Sequence, residues 1–270
     1  MVSCKHISKL LLALLLATPT LAQDERPPVS IPQPKLQRST PTPGSTSTIV
    51  QVEYNDAIKD RDYLLSAPEE LVRFIRAETE LEVSLSWRIL TLHDRSIMDA
   101  LMLYMTGCDG EMRITQSEKK NLAQYLRSGG LLFAEDILPL GANLRRSRGG
   151  AGIAGTAFDQ QFKTLLKDPQ VLGSKGRDWR KLPKNDPLYS AYFDFSDGPP
   201  LSGISQGNVS ALEAIEIKGR TAVIFSDLNI SWFWATHNAA GRNRSLQFGT
   251  NLVVFALIQK HAGRPLPVRR

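Results

Sequence analysis

Apolar residues along the chain alternate between stretches with strand periodicity and stretches with helix periodicity. Continuous apolar runs at Ala100 to Met105 and Leu131 to Phe133 predict strands that are buried on both faces of a sheet. Between them, Leu122, Tyr125 and Leu126 share one face of a predicted helix. Two parallel strands need such a crossover, so the segment predicts a βαβ unit with adjacent central strands and, with it, an α/β fold.

The same patterns predict the remaining elements. Ser66 with Glu69, and Thr115 with Glu118, have capping-box spacing and predict helix starts. A further helix is expected around Phe158 to Leu166 and a last one from about Ser245 to His261. Other strands are expected at Ile49 to Val52, Leu81 to Leu85, Ile89 to Leu92, Leu212 to Ile217 and Ala222 to Phe225. Asp168 to Gly207 follows no regular pattern.

The first residues have the composition of a secretory signal. Lys5 and Lys9 precede the apolar run Leu10 to Ala17, and small residues follow up to Ala22. Residues 1–22 are therefore predicted to be a signal peptide, and the mature chain is expected to be periplasmic or secreted. The apolar run is shorter than the roughly 20 residues that span a bilayer, and no membrane span is expected elsewhere.

Composition divides the rest of the chain into three regions. Residues 23–47 hold six prolines among Ser, Thr and Gln and predict a linker, residues 48–262 form the predicted single domain, and residues 263–270 form a basic tail. Without Lys5 and Lys9, 31 basic and 27 acidic side chains leave a net charge of +4. Because no basic stripe with interleaved aromatic residues accompanies this charge, nucleic-acid binding is not expected.

Polar residues follow three of the predicted strands at the point where each strand ends. The carboxyl ends of parallel strands lie at one edge of a sheet, where such folds bind ligands, so these residues are predicted to line a common cleft. The candidate ligand-binding residues are Thr106, Gly107, Cys108, Asp109, Gly110, Glu135, Asp136, Ser226, Asp227 and Asn229.

Cys108 is not expected to be a catalytic nucleophile. A nucleophile elbow has glycine two residues before and two residues after the nucleophile, and here Thr106 occupies the first of these positions. The next helix begins only near Thr115, so its dipole would lower the thiol pKa little. Cys108 is also the one cysteine left after the predicted signal peptide, which excludes an internal disulfide.

Two interpretations of the strand-end carboxylates remain open. Asp109, Glu135, Asp136 and Asp227 could converge to bind a hard cation or to act as a general acid and base. The interpretation we favour is that each caps a helix or solvates a loop. Cysteine and histidine residues are too scattered for a zinc site, so no metal and no cofactor is predicted.

Two other segments also allow two interpretations. Trp232 and Trp234 follow Asp227 and Asn229 closely and could stack on a sugar ring, although core packing is the favoured interpretation. The Gly- and Arg-rich stretch Gly141 to Gly155 predicts a surface loop. A lid over an anionic ligand is the alternative to a simple insertion.

Several motifs together resemble the bacterial family called domain of unknown function 4159, over about residues 48 to 260. They are Leu103 to Gly107, Tyr125 to Gly130, Leu131 to Asp136, Asp186 to Tyr189 and Gly249 to Leu257. The family usually continues Thr-Gly-His where this chain has Thr-Gly-Cys. The resemblance implies a flavodoxin-like sheet with helices on both faces, similar to class I glutamine amidotransferase-like proteins.

The resemblance also bears on activity and partners. Class I amidotransferases use a His-x-Glu pair late in the chain, whereas His237 is followed by Asn238 and Ala239, so the catalytic triad is not recognisable. Family members often occur beside genes for a MoxR-type ATPase and von Willebrand factor A proteins, which implies a protein partner in the cell envelope. We expect a non-catalytic binding or scaffold module. The alternative is an envelope hydrolase, for which a carbohydrate is one candidate substrate.

Overall fold

Seven strands form one sheet in this computed structural model, which describes residues 46–54, 62–108, 110–137, 156–201, 211–237 and 239–262. The order across the sheet is β2-β1-β3-β4-β7-β6-β5. The first five strands in that order are parallel, and β6 and β5 are antiparallel to their neighbours. The strands are β1 (Ser47–Glu53), β2 (Leu85–Thr91), β3 (Met102–Gly107), β4 (Leu131–Asp136), β5 (Arg180–Lys181), β6 (Glu213–Ile217) and β7 (Arg220–Ser226).

Helices cover both faces of the sheet. They are α1 (Asp62–Leu65), α2 (Ala67–Glu78), α3 (Gln116–Ser128), α4 (Ala157–Lys167), α5 (Ile230–Ala235) and α6 (Arg242–Ala262). Short 3₁₀ helices lie at Arg95–Asp99, Gly173–Arg177 and Pro187–Ser190. The predicted signal peptide, the linker as far as residue 45, the Gly- and Arg-rich loop and the basic tail lie outside the described residues.

Successive residues of the central strands enter two separate cores, because strand side chains alternate between faces. Tyr104 and Phe133 pack beneath α2 and α6, whereas Leu103 and Leu132 pack beneath α3 and α4. Both cores are built almost entirely from large apolar side chains that solvent does not reach. The predicted α/β class and single domain are therefore confirmed for the described part of the chain.

The central βαβ unit is as the sequence predicts. β3 and β4 are parallel neighbours, with Met102 opposite Leu131 and Gly107 opposite Asp136. The helix between them begins with the predicted capping box, in which Thr115 and Glu118 each accept a hydrogen bond from the other's backbone N–H. It ends at Gly129, whose φ of 109° is in the left-handed region that glycine adopts most readily.

Predictions for the N-terminal half are confirmed only in part. α2 begins directly after Ser66, as predicted, but without the capping box. Ser66 has αR backbone angles, because α1 ends just before it, and its side chain makes no capping hydrogen bond. The strand predicted at Leu81 to Leu85 is absent as far as Ser84, and Leu85 is the first residue of β2. β1 begins at Ser47, which pairs with Leu85, so among the described residues no strand lies opposite those before Leu85. The stretch predicted as a separate strand at Ile89 to Leu92 continues β2 as far as Thr91.

The glycine at the end of β3 allows a close approach between β3 and α4. A Cβ atom on Gly107 would lie 2.2 Å from Cδ2 of Phe158 and 2.4 Å from the hydroxyl oxygen of Tyr54. We therefore expect Gly107→Ala to lower the free energy of unfolding by about 2 kcal/mol, measured by denaturant titration.

The matched control is Gly219, which has φ +74° and no atom within 4 Å of the position that a Cβ atom would take. Gly219→Asn should change the free energy of unfolding by less than about 0.5 kcal/mol, because asparagine tolerates the left-handed conformation. Equal stability of Gly107→Ala and the unsubstituted chain would contradict the close approach.

Candidate functional site

The carboxyl ends of β3, β4 and β7 lie side by side, as the candidate cleft requires. Thr106 is opposite Glu135 in the β3–β4 pair, and Glu135 is opposite Ser226 in the β4–β7 pair. However, Glu135 and Asp136 are consecutive strand residues and project to opposite faces of the sheet. The two carboxylates therefore belong to two different environments, each formed with the beginning of a different helix.

Glu135 binds the first residues of α5. Its Oε1 accepts a hydrogen bond from the Ile230 N–H at 2.7 Å and from the Ser226 hydroxyl at 2.6 Å. Its Oε2 accepts a hydrogen bond from the Ser231 N–H at 2.6 Å and a short one from the Ser231 hydroxyl. The side chain is completely buried. Each oxygen therefore receives one backbone N–H and one hydroxyl, a set of donors that fits an ionised carboxylate.

Two opposing effects act on the Glu135 carboxyl group. Burial raises its pKa, because the charged form loses its contact with water. The hydrogen bonds from Ser226, Ser231 and Ile230 favour the charged form and oppose that rise. The partial positive charge at the beginning of a helix also favours a carboxylate there.

Asp136 binds the residue that begins α4. Its Oδ2 accepts a hydrogen bond from the Thr156 N–H at 3.0 Å, and its Oδ1 lies 2.7 Å from the Thr156 hydroxyl. Thr156 in turn caps α4, with its side-chain oxygen accepting from the Phe158 N–H. Asp136 is fully buried, like Glu135, so it orients the beginning of a helix from inside the protein.

The turn after β3 also packs against α4. The Cys108 carbonyl oxygen accepts a hydrogen bond from the Phe158 N–H at 2.7 Å and lies 2.8 Å from the Thr156 hydroxyl. The Gly110 carbonyl oxygen accepts one from the Gln161 amide. The Cys108 side chain is buried, with 5% of its surface exposed. Asp109 lies outside the described residues.

The residues after β7 lead directly into α5. Ser226 and Asn229 are buried, and Asp227 is half-buried. Asn229 has a φ of 58°, a left-handed conformation that is uncommon for residues other than glycine. This bend turns the chain so that the N–H groups of Ile230 and Ser231 point at Glu135.

The two tryptophans of α5 pack inside the protein. Trp234 is 1% exposed, contacts the rings of Tyr104 and Phe133, and donates its indole N–H to the Ser245 carbonyl oxygen at 2.8 Å. Trp232 is 9% exposed and packs edge-to-face against Phe233. Both rings are used in packing, which confirms the favoured interpretation and leaves little ring surface for a sugar.

Sequence reasoning missed the residues that complete these two environments. Thr156 had a usable signal, because Thr156 with Asp159 three residues later has capping-box spacing at the start of a helix pattern. Ser231 had none, since nothing in its own neighbourhood indicates that it binds a carboxylate 96 residues away along the chain.

Further features of the described residues lie away from the carboxyl ends. One surface cavity of about 510 Å³ is bounded by α3 and Gln170, and another of about 540 Å³ lies between α2 and β2. Within the described ranges, no three His, Cys, Asp or Glu side chains are grouped so that they could hold a metal ion. No helix there is long and apolar enough to cross a bilayer.

Comparison with known families identifies the domain. The family described as Domain of unknown function (DUF4159) matches residues 48–257. The chain belongs to this family. The DUF4159 match begins in β1 and ends in α6, so it includes every candidate site residue. No curated protein matches the chain.

The arrangement around Glu135 in this DUF4159 domain makes substitution by glutamine unfavourable. A glutamine amide group would place its own N–H atoms against either the Ile230 or the Ser231 backbone N–H, whichever way it is turned. We expect Glu135→Gln to lower the free energy of unfolding by about 3 kcal/mol in denaturant titrations, because a buried donor loses its charged acceptor.

Asp136→Asn is the matched comparison. An asparagine carbonyl can still accept from the Thr156 N–H, and its amide can donate to the Thr156 hydroxyl while that hydroxyl donates to Cys108. This variant should therefore lower the free energy of unfolding by no more than about 1 kcal/mol. A loss for Glu135→Gln that is no larger than the loss for Asp136→Asn would show that the four donors do not require a charged acceptor.

Proposed function

We propose that this DUF4159 chain is a non-catalytic binding or scaffold module exported to the bacterial cell envelope. The observation that carries the proposal is the use of Glu135 and Asp136 inside the protein. Both carboxylates are fully buried, and both accept hydrogen bonds from residues at the beginnings of helices. The groups best suited to acid–base chemistry are therefore engaged in holding α4 and α5 on the sheet.

A catalytic role would conflict with these contacts. A general acid or base must exchange a proton with a substrate that lies within hydrogen-bond reach. For Glu135 this would mean displacing a backbone N–H or a hydroxyl from an oxygen that already accepts two hydrogen bonds. Cys108 is buried beside α4, and its carbonyl group is bonded to that helix. These contacts favour a scaffold over an envelope hydrolase that uses the same carboxylates on a carbohydrate.

The strand order supports a more specific assignment of the fold. We propose the flavodoxin-like class, and with it similarity to class I glutamine amidotransferase-like proteins. The five parallel strands have the order β2-β1-β3-β4-β7, which is the 2-1-3-4-5 order of flavodoxin-like sheets when the strands are numbered along the chain. The antiparallel pair β6 and β5 extends the sheet beyond β7.

Location and partners are part of the same proposal. The charged, apolar and small-residue regions of residues 1–22 support export to the periplasm or the exterior. A protein partner in the envelope is proposed, linked to MoxR-type ATPase and von Willebrand factor A proteins through the family resemblance. A ligand-binding role for residues that follow the strand ends, such as Asp227, remains a prediction.

A complementation experiment separates the scaffold from the hydrolase. The gene is deleted in its native host. The full chain and a triple variant, Cys108→Ser, Asp109→Asn and Asp227→Asn, are then tested for rescue of the envelope phenotype that the deletion causes. We expect the triple variant to restore the phenotype fully, because Ser and Asn keep the size and hydrogen-bonding capacity that binding needs, while they remove the titratable groups that a hydrolase needs. Failure at normal protein abundance and unchanged thermal stability would favour the hydrolase.

The predicted location has its own test. Deletion of residues 2–22 should leave the protein in the cytoplasmic fraction and abolish rescue, as judged by immunoblots of cell fractions. The full chain should appear in the periplasm or medium at a mass reduced by cleavage after Ala22. Full rescue by the shortened chain from the cytoplasm would contradict export.

A further inference from the structure

The sheet ends at β2, and the outer side of this strand has the features of a peptide-binding edge. All seven residues of β2 pair in parallel with β1. Within the described ranges, no strand pairs with the other side of β2. A strand in this position presents backbone N–H and C=O groups that can pair with another extended chain. This surface is distinct from the carboxyl edge, so the inference holds whether or not that edge is catalytic.

The register shows which backbone groups face outward. The Ser84 carbonyl oxygen accepts from the Ser47 N–H, so residues 84, 86, 88 and 90 direct their backbone groups toward β1 and the intervening residues direct theirs outward. The Leu85 carbonyl is bound by the Arg76 guanidinium, and the Thr91 carbonyl accepts from the Asp94 N–H. The outward backbone N–H and C=O groups of Trp87 and Ile89 make no hydrogen bonds within the described residues. They are therefore the groups on this edge that an added strand could bind.

A groove runs beside these outward backbone groups of β2. It has a volume of about 540 Å³ and lies between α2 and the first half of β2. Its lining residues are Glu69, Val72, Arg73, Arg76, Ala77, Ser86 and Trp87. Trp87 is opposite Ile49, whose side chain is in the core beneath α2, so the half-buried indole lies on the α2 side. An added strand would therefore place alternate side chains against an aromatic and aliphatic surface.

The charges on and beside β2 favour an acidic partner segment over a second copy of β2 at this edge. Arg88 is exposed in the middle of β2 and faces away from α2, because it is opposite Val50 of the other core. Arg73 lies on the groove and is exposed, with Glu69 and Glu70 as its ion partners. β2 itself contains no acidic residue. A second copy of β2 pairing antiparallel about its centre would place two Arg88 side chains opposite each other, which is unfavourable.

We propose that the outer edge of β2, with the groove beside α2, binds an extended acidic segment of a partner protein by strand addition. The segment pairs with the backbone of Trp87 and Ile89. It places an acidic side chain opposite Arg88 and apolar side chains on either side of that position, toward Trp87. The recognised pattern is therefore an alternation of apolar and acidic residues.

Binding is tested with a defined probe and the purified full chain. The probe is a fluorescein-labelled, N-acetylated peptide of alternating valine and glutamate, and a peptide with lysine in place of glutamate is its control. Fluorescence anisotropy should show saturable binding of the glutamate peptide and much weaker binding of the lysine peptide. Amide and indole NMR signals of Trp87 should shift on addition of the glutamate peptide.

Variants assign the site. Arg88→Glu should weaken binding of the glutamate peptide about tenfold and strengthen binding of the lysine peptide, since it reverses the charge opposite the acidic side chain. Arg177→Glu makes the same charge change at an exposed residue of a 3₁₀ helix and should leave both affinities unchanged. Ile89→Pro removes an outward N–H that β1 does not use and should also weaken binding.

Four outcomes would overturn the proposal. They are no binding of the glutamate peptide, equal effects of Arg88→Glu and Arg177→Glu, binding unchanged by Arg88→Glu, and Trp87 signals that do not respond. Sedimentation of the chain alone tests the other possible occupant of the edge, a second copy of β2. A dimer that Ile89→Pro dissociates would assign the edge to a second copy. If Ile89→Pro does not fold, Arg88→Glu and Arg177→Glu still test whether the glutamate peptide binds at β2.

Discussion

The buried carboxylate of Glu135 connects the last third of the chain to the central sheet. One side chain on β4 accepts hydrogen bonds from the end of β7 and from the first two residues of α5. A buried carboxylate is tolerated only where hydrogen bonds replace the water it has lost. The positions of β7, α5 and the bend at Asn229 are therefore constrained together, since a shift in any of them would leave this buried carboxyl group without the hydrogen bonds that replace its contact with water.

Asp136 gives the other face of the sheet a similar constraint. It holds Thr156, and through Thr156 the beginning of α4, against the turn that follows β3. Two consecutive residues of one strand thus anchor helices on opposite faces, a direct consequence of side-chain alternation along a strand. The close contact of Gly107 with Phe158 belongs to the same arrangement, because α4 lies directly on the end of β3.

The sequence predicts most reliably what depends on neighbouring residues. The β3–α3–β4 unit, the Thr115 capping box and the left-handed Gly129 follow from local patterns, and the structure has all of them. The partners of Glu135 depend on chain pairing over long distances, and no local pattern identifies Ser231 as a donor. The error at Leu81 to Leu85 has the same origin. Alternation indicates a strand, but only the position of Ser47 on β1 determines where β2 can begin.

The long separation between Glu135 and its donors has a consequence for how the protein folds. Ser226 lies 91 residues after Glu135, whereas β3 and β4 are joined by a single helix. Contacts that close long loops form later than local ones, because more chain entropy must be lost before they are made. During synthesis the sheet as far as β4 can assemble while Glu135 is still hydrated. We therefore expect the dehydration of this one carboxylate to come late in folding, when β7 and α5 dock against β4.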